Sequence, residues 1–451
     1  MKQLNKAYGN IVVLANVRGQ RKIPYLDRDR LFRLRDSRVR KIVQYAARTV
    51  PFYREFFRKE SIDPREIRTA DDLSKLPLIS KDLIRKSGHL FISTSGLGRT
   101  AVPFRTSGST GVPLTIFHDR VSLLKNIAFG EREREVIVQA CGRALGYKEA
   151  EIYYSGGIRR KAREFYRQNT FIPIRPNLLS LSLAAPFEKI VSDINGFCPD
   201  VIRSCGSYLE TFFRLIAARN IRVHIPRMVI YGADTMSDSG RKFIEERFDI
   251  PVFSTYQAAE SFKIGFFCLE RKGFHLHEDL CHVKIVDQSG KEVRDGQPGE
   301  VVISNLVNYG MVILNYRLSD VATLASARCP CGRTFGLLTQ LEGRTDDVIF
   351  LPGGRFIHSR EVWGFFINRR EVLRYQLVQR APSSFLIRIS TADKNVYDRI
   401  VGDIVAGLSN LLGGSCAIEA ECALGLELFP DSKFSPVASQ CKHEPLSCFR
   451  K

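Results

Sequence analysis

The sequence predicts an α/β fold of mixed α+β character: a large N-terminal domain of sheets covered by helices, then a small α+β C-terminal domain. Three observations lead there. Apolar residues recur near helical spacing early in the chain, strand-like and helix-like runs alternate from about residue 100, and a glycine-rich break near 350 is followed by its own helix, strand, helix rhythm.

Taken in order, Leu31, Leu34, Val39, Ile42, Val43, Tyr45 and Ala46 mark one apolar helix face between 27 and 60. Pro51 interrupts it and Phe52 to Phe57 restart a short helix, while Asp63-Pro64 and Ser80 read as further helix starts. Residues 1–95 are therefore expected to be mainly helical. Beyond 100, Arg227 to Tyr231 is a short apolar strand, Ser237 to Phe248 a helix and Pro251 to Tyr256 a strand. "CHVKIVDQSGKEVRDGQPGEVVISNL" holds two β-rich runs with turn chemistry at Ser289-Gly290 and Gly296-Gln297-Pro298-Gly299, a hairpin expected to belong to a smaller β-rich unit after the main sheets. "EGRTDDVIFLPGGRF", 342–356, is polar and then glycine-rich, so a boundary is expected near 345. After it come a helix over Arg360 to Tyr375, a strand over Phe385 to Ile389 and a helix over Val396 to Leu412. The expected division is 1–95, 96–345 with the β-rich unit, and 346–451, with no internal repeat and no low-complexity segment.

With 451 residues, 44% hydrophobic and 26% charged, the chain has the composition of a folded globular protein. Lysine and arginine exceed the acids by 68 − 48 = 20, so the surface attracts anions. Ten of those cations lie between Arg18 and Lys41, and a second group is Arg159-Arg160-Lys161-Arg163. Neither stretch has regularly spaced stacking aromatics or a nucleic-acid-binding signature, so they read as solvated helix surfaces and no nucleic acid is expected. An acidic carrier protein, a membrane surface or a polyanionic substrate would suit them equally. Eleven scattered cysteines, an odd count, suggest thiols, mostly buried, rather than a disulfide framework. Apolar runs such as Ile11 to Ala15 fall far short of the ~20 residues of a membrane span, and no secretory signal pattern opens the chain. A cytoplasmic protein with no membrane span is expected, and a homodimer is compatible with it.

The run "RTSGSTGVPLT", 105–115, is the most informative loop. In Thr106-Ser107-Gly108-Ser109-Thr110-Gly111 the glycines let backbone N–H groups approach an anion and the hydroxyls add donors, a composition suited to phosphate. It lacks the Gly-Lys-Ser/Thr ending of a Walker A loop, since Val112 follows Gly111.

The order Thr-Ser-Gly-Ser-Thr-Gly-Val-Pro resembles the signature loop of the adenylate-forming enzymes, the superfamily of acyl-CoA synthetases. Further motifs follow in the family's order: "TYQAAE", 255–260, resembles Tyr-Gly-x-Thr-Glu; "YRLSD", 316–320, resembles Tyr-Arg-Thr-Gly-Asp; and "GRTDDVI", 343–349, fits Gly-Arg-x-x-Asp-x-Ile. Within the superfamily the resemblance is to phenylacetate-CoA ligases and the related capsular-polysaccharide-type proteins, through "ARTVPFYREFF", the segment from Ile62 to Arg85, and "CPCGR" at 329–333, and it runs from about 40 to about 440. Gln257 stands for the motif glycine, Ala258-Ala259 for x-Thr and Leu318-Ser319 for Thr-Gly, none of which removes a charge.

The resemblance implies an ATP-dependent ligase that activates an aryl or other small-molecule carboxylic acid as acyl-AMP and passes it to coenzyme A, with an amine acceptor or a non-catalytic nucleotide-binding relative as alternatives. It implies that Thr106, Ser107, Gly108, Ser109, Thr110 and Gly111 hold phosphates, that Glu260 holds Mg²⁺, that Tyr256 and the Ala233-Asp234 turn border adenine, and that Gln257 is a further nucleotide-binding position. Asp320, an acceptor-only carboxylate, would take the ribose hydroxyls and Arg344 would reach ribose or phosphate. Lys433, in "FPDSKFSPVAS" with Ser432 where glycine is usual, matches the catalytic lysine, which a mobile C-terminal lid would carry about a hinge at Asp346, with Gly353-Gly354 shaping the acceptor tunnel. Finally, Cys329 and Cys331 offer two thiolates on one short turn. A tetrahedral structural Zn²⁺ wants two more ligands, for which Cys268 and His275 are the natural completion and His277 and Cys281 compete.

Overall fold

Asp27 sets where the first long buried helix begins. Its carboxylate accepts the Arg30 N–H at 2.9 Å, satisfying one of the donors that a first turn leaves unpaired. The helix Arg28–Thr49 then runs for 22 residues, Val50 takes an extended conformation, and Pro51 opens the helix Pro51–Lys59, where its missing N–H removes no bond. Asp63 and Ser80 cap the short helices Pro64–Glu66 and Lys81–Ser87 as expected. In the computed structural model the described residues are 2–106, 113–154, 157–173, 177–344, 348–351, 356–366, 369, 371–414, 416–423 and 436–441.

One sheet of 11 strands organises the larger part of the molecule. Five strands are mutually parallel, in the order Leu178–Ser182, Glu149–Tyr153, Val201–Ser204, Met228–Tyr231 and Val252–Tyr256. From Val252–Tyr256 onward the sheet is antiparallel, through Gly265–Phe267, Phe274–Leu276, Leu337–Arg344, Tyr316–Leu324, Pro298–Asn305 and Cys281–Val286. The β-rich run after 280 is thus no separate sheet. The chain reverses at Tyr256 and pairs Gly265–Phe267 back onto the last parallel strand, so the hairpins extend the same surface.

Two cores cover this sheet. The helix Arg28–Thr49 buries Leu31, Val39, Ile42, Val43 and Ala46 in one core with Phe266, Ile285, Val301 and Ile303 of the antiparallel half. Each such aliphatic side chain removed from water contributes about 1.5–3 kcal/mol. On the parallel half, Ile190, Ile194, Leu209, Phe212, Phe213 and Ile244 of the crossover helices pack on Ile152, Ile202, Val229 and Val252.

A smaller unit follows: a four-stranded sheet in the order Ala417–Cys422, Ser384–Ser390, Arg374–Ala381, Val437–Ser439, covered by the helix Lys394–Leu411 and with its own core around Leu377, Ile387, Ile404 and Leu408. The expected helix Arg360–Tyr375 ends at Phe366, and Arg374–Ala381 is a strand, because a partner strand decides there: Leu377, Val378 and Gln379, all buried, pair with Ile387, Leu386 and Phe385. Leu373 packs into the parallel-half core, joining the smaller unit to the larger. Of the ten cysteines described, only Cys141, Cys268, Cys281 and Cys329 are buried, fewer than expected. No helix among the described residues is long and apolar enough to cross a membrane.

Candidate active site

Chemistry on a mostly parallel sheet gathers outside the carboxyl ends of its strands, and most sharply where the strand pattern changes. Here that place lies beyond Ser204, Tyr231 and Tyr256. The motif 255–260 leaves the last parallel strand at its carboxyl end and folds into a tight turn in which Ala258 and Ser261 exchange backbone hydrogen bonds of 3.1 and 3.2 Å. Glu260 is buried at the end of it, and its carbonyl accepts the Asn305 side-chain N–H at 2.8 Å.

Two contacts bring the other motifs to this turn. The Tyr256 hydroxyl donates to Asp320 Oδ2 at 2.7 Å, so the tyrosine ring and the second carboxylate are joined directly. Asp320 in turn sits opposite Arg344 in the antiparallel register, which puts the third motif on the adjacent strand. The hydroxyl-and-glycine loop is carried by a hairpin, Val102–Arg105 with Thr115–His118, whose His118 Nε2 lies 2.7 Å from the Ala259 carbonyl. The hairpin that bears the first motif and the strand that bears Asp320 are therefore both tied to this turn, with the backbone of Arg344 on the strand beside Asp320.

The structure also separates functions that the motifs leave mixed. Thr106 closes the neck of the loop: its N–H donates to the Leu114 carbonyl and its hydroxyl accepts the Leu114 N–H, both at 2.8 Å. Asp234 accepts from the N–H of Gly206, at the start of the helix Gly206–Ala218, and from the Ser207 hydroxyl, both at 2.5 Å. Its carboxylate is a cap on that helix, and Ala233 before it adopts a left-handed φ of 73° that turns the chain back. A Cβ on Gly206 would lie 2.7 Å from the Met236 N, so the close approach needs glycine there. Ser319, at the motif's usual glycine, has φ 64°, the backbone reason for glycine elsewhere in the family resemblance. Ser107 to Gly111, Asp346, Lys433 and Gly353-Gly354 lie outside the described residues, as does the side chain of Arg344.

Two cations reach this region that the motifs did not name. Arg159, assigned from sequence to a solvated patch, donates to Gln257 Oε1 at 3.3 Å and lies over the Tyr153 ring at 4.7 Å, so it faces the carboxyl ends of the strands. Arg374 comes from the smaller unit and contacts the Ser207 hydroxyl at 3.4 Å beside Asp234; burial pushes its guanidinium down to about 10. Local sequence carries no signal for either, because only strand order brings them there.

A second constellation lies on the antiparallel side. Ligand atoms of Cys268, His275, Cys329 and Cys331 all lie within 4.8 Å of one another. The turn that bears Cys329 and Cys331 enters the strand Leu337–Arg344, and Leu337 pairs with His275, which sets that histidine against the turn. Cys268 Sγ and Cys329 Sγ are 3.6 Å apart, and Cys331 Sγ is 3.4 Å from His275 Nε2. Four ligands around a tetrahedral zinc would give sulfur–sulfur edges of about 3.8 Å and sulfur–nitrogen edges of about 3.5 Å, so the donor set fits such an ion. Burial pushes His275 down to about 3, leaving the neutral imidazole that ligation requires. Burial also pushes the Cys268 thiol up to about 12, whereas the Arg333 N–H groups hold Cys331 below its ordinary value despite its burial. His277 and Cys281, the competing ligands, are directed elsewhere: His277 Nε2 lies 3.5 Å from Glu133 and Cys281 is packed in the helical-layer core.

This is the fold and motif arrangement of an adenylate-forming enzyme. The chain is 25% identical to the phenylacetate-coenzyme A ligase of Thermus thermophilus over 375 residues, 80% of this chain and 81% of that one. It is 23% identical to the ligase of the same name from Escherichia coli, over 72% of this chain and 74% of the other. Protein CapK of Staphylococcus aureus is 25% identical over 238 residues, 51% of this chain and 50% of CapK. Among solved structures, 2-hydroxyisobutyryl-CoA ligase in its postadenylation state, in complex with R3-HIB-AMP, superposes with a TM-score of 0.71 at 15% identity, covering 92% of this chain and 90% of that one. No model of a protein family matches the chain. These similarities, to phenylacetate-coenzyme A ligases in sequence and to an acyl-CoA ligase in fold, agree with the adenylate-forming resemblance of the motifs.

Proposed function

We propose that the chain is an AMP-forming acid–thiol ligase: it activates a carboxylic acid with ATP and transfers the acyl group to coenzyme A. In the first half-reaction a carboxylate oxygen of the acid bonds to the α-phosphorus, the bond to the bridging oxygen breaks and pyrophosphate leaves. In the second, the thiol sulfur bonds to the acyl carbon, AMP departs and the thiol proton is released. The observation that carries this reading is the meeting of the loop-bearing hairpin, Tyr256, Glu260 and Asp320 at the carboxyl ends of the parallel strands.

The proposed roles follow from charge. Asp320, oriented by Tyr256, takes the ribose hydroxyls; Tyr256 and the Ala233 turn border adenine, with the Asp234 carboxylate holding that turn in place. The loop 106–111 and Arg344 meet the phosphates and Glu260 supplies a carboxylate for Mg²⁺, whose charge offsets that on the transferring phosphoryl group. Lys433 is the catalytic lysine, carried by a C-terminal lid that turns at Asp346. The Cys268, His275, Cys329, Cys331 cluster holds a structural Zn²⁺ with all four positions taken by protein, so its part is to staple the 325–336 turn to the sheet. The reaction belongs in the cytoplasm, where ATP and coenzyme A are at hand.

Pyrophosphate release across a panel of aryl and aliphatic acids, with hydroxylamine trapping of the acyl-AMP, tests the first half-reaction, and coenzyme A consumption tests the acceptor. Nucleotide binding without pyrophosphate release from any acid would defeat the ligase reading; hydroxamate without coenzyme A consumption would turn it toward an amine acceptor.

A further inference from the structure

The helix Lys2–Val17 is amphipathic in an unusual direction. Its inner side is firmly seated: Val12 and Val13 enter a core with Leu123, Leu124 and Phe165, and Gly9 passes so close that a Cβ would lie 1.8 Å from the Asn169 carbonyl oxygen. Asn10 accepts the Phe171 N–H at 2.9 Å, which fixes one flank. The helix is therefore a packed element and not a loose arm.

Its outer side is apolar where a solvated helix would be charged. Leu4, Tyr8, Ile11 and Leu14 are 74, 54, 65 and 62% exposed, and Ala7 and Ala15 lie exposed between them. At 100° per residue these six positions span an arc of about 120°. Phe171, 55% exposed, stands on the Asn10 flank with Lys6 over its ring at 5.0 Å. Exposed Arg18 and Lys22 follow this strip, Arg21 between them is paired with Glu131 at 2.8 Å, Lys6 stands on the Phe171 flank, and the first acidic residue of the chain is Asp27.

We propose that this face docks on an anionic lipid bilayer, with the helix lying in the plane of the interface. Exposed aliphatic residues would enter the boundary between headgroups and acyl chains, Tyr8 would sit at the headgroup level that amphipathic aromatics favour, and the flanking cations would meet lipid phosphates. A second copy of the chain is the poorer occupant, because two surfaces bordered by the same cations, on molecules of net charge +20, repel. The docking is peripheral and independent of the ligase reading, since these residues lie outside the candidate active site.

The test is flotation of the full chain with vesicles of phosphatidylcholine containing about one-third phosphatidylglycerol, against phosphatidylcholine alone. The chain should float with the anionic vesicles and be released as salt rises. Ile11→Glu with Leu14→Glu should lower partitioning at least about tenfold, and so should Leu4→Ser with Tyr8→Ser, a milder pair, while the thermal midpoint stays unchanged because all four side chains are exposed. Wild-type chain that stays unbound, variants that float as well as wild type, or a wild-type dimer that the Ile11→Glu, Leu14→Glu pair converts to monomer would each overturn the proposal, the last by naming a second copy as the occupant.

Discussion

Replacing Asp279 by asparagine removes a charge and almost no volume, so it isolates electrostatics from packing. Asp279 and Arg132 are both sealed from water, with side-chain exposures of 0%. The carboxylate accepts from Arg132 Nη1 at 2.7 Å and Nη2 at 2.9 Å, and from Arg38 Nη1 at 2.9 Å. It thereby ties two helices to the segment between His275 and the hairpin Cys281–Asn305. Asparagine would leave two guanidinium groups facing a neutral oxygen, one of them with no route to solvent. Removing one partner of such a buried pair costs about 3–5 kcal/mol. With a urea dependence near 3 kcal/mol/M, the upper end of the usual range of about 1–3, the unfolding midpoint should fall by about 1–1.7 M. The pH dependence supplies a second readout. Burial would raise the Asp279 carboxyl, but Arg132 and Arg38 hold it well below the usual carboxylate range. Its contribution is therefore complete above the unfolded value of about 3.9 and is lost as pH falls toward the depressed folded value. The gap between wild type and Asp279→Asn should be widest near neutral pH and should narrow as pH drops below about 4. A midpoint shift under about 0.3 M at neutral pH, or a gap that ignores acid, would refute the reasoning.

Other outcomes follow from the site. Tyr256→Phe removes the donor to Asp320 and should raise the KM for ATP about tenfold in a pyrophosphate-release assay, with little change in thermal midpoint; an unchanged KM would deny Asp320 its ribose role. Lys433→Ala should lower hydroxamate formation by about 10²–10³ while nucleotide still binds by calorimetry; equal rates would move catalysis to another cation. Cys329→Ser with Cys331→Ser should reduce zinc, measured by atomic emission, from about one per chain to nearly none and lower the thermal midpoint, because the 325–336 turn loses its staple; wild-type protein purified without zinc would refute the metal. Ser319→Gly should stabilise the chain by up to about 1 kcal/mol in urea unfolding, by relieving its left-handed backbone.

Much of this was legible in order and spacing alone. The helix starts at Asp27, Asp63 and Ser80 depend on a side chain reaching its own neighbouring N–H groups, which is local physics. That Tyr256 and Asp320 come together was foreshadowed by two short motifs whose residue types suit one ligand, whereas the cysteine turn offered two thiols, a weak signal until Cys268 and His275 joined it in space. The strand after Phe366 was misjudged because short apolar runs satisfy helical and alternating patterns alike until a partner strand chooses between them.

Residue order by itself determined the alternation of strands and helices, the caps, the excess of positive charge and which side chains could do chemistry. Only the tertiary structure decided which of them meet. The reversal at Tyr256 merges the hairpins into the parallel sheet, the pairing of Leu337 with His275 selects that histidine over His277, strand order turns Arg159 inward, and Asp234 is spent on a helix end. Those outcomes rest on pairings between segments 60 or more residues apart in some cases, such as Cys268 with Cys329 at a separation of 61. A local pattern cannot encode such a pairing, because the free energy that selects it comes from burial and hydrogen bonding across the sheet and is absent until the distant strand arrives.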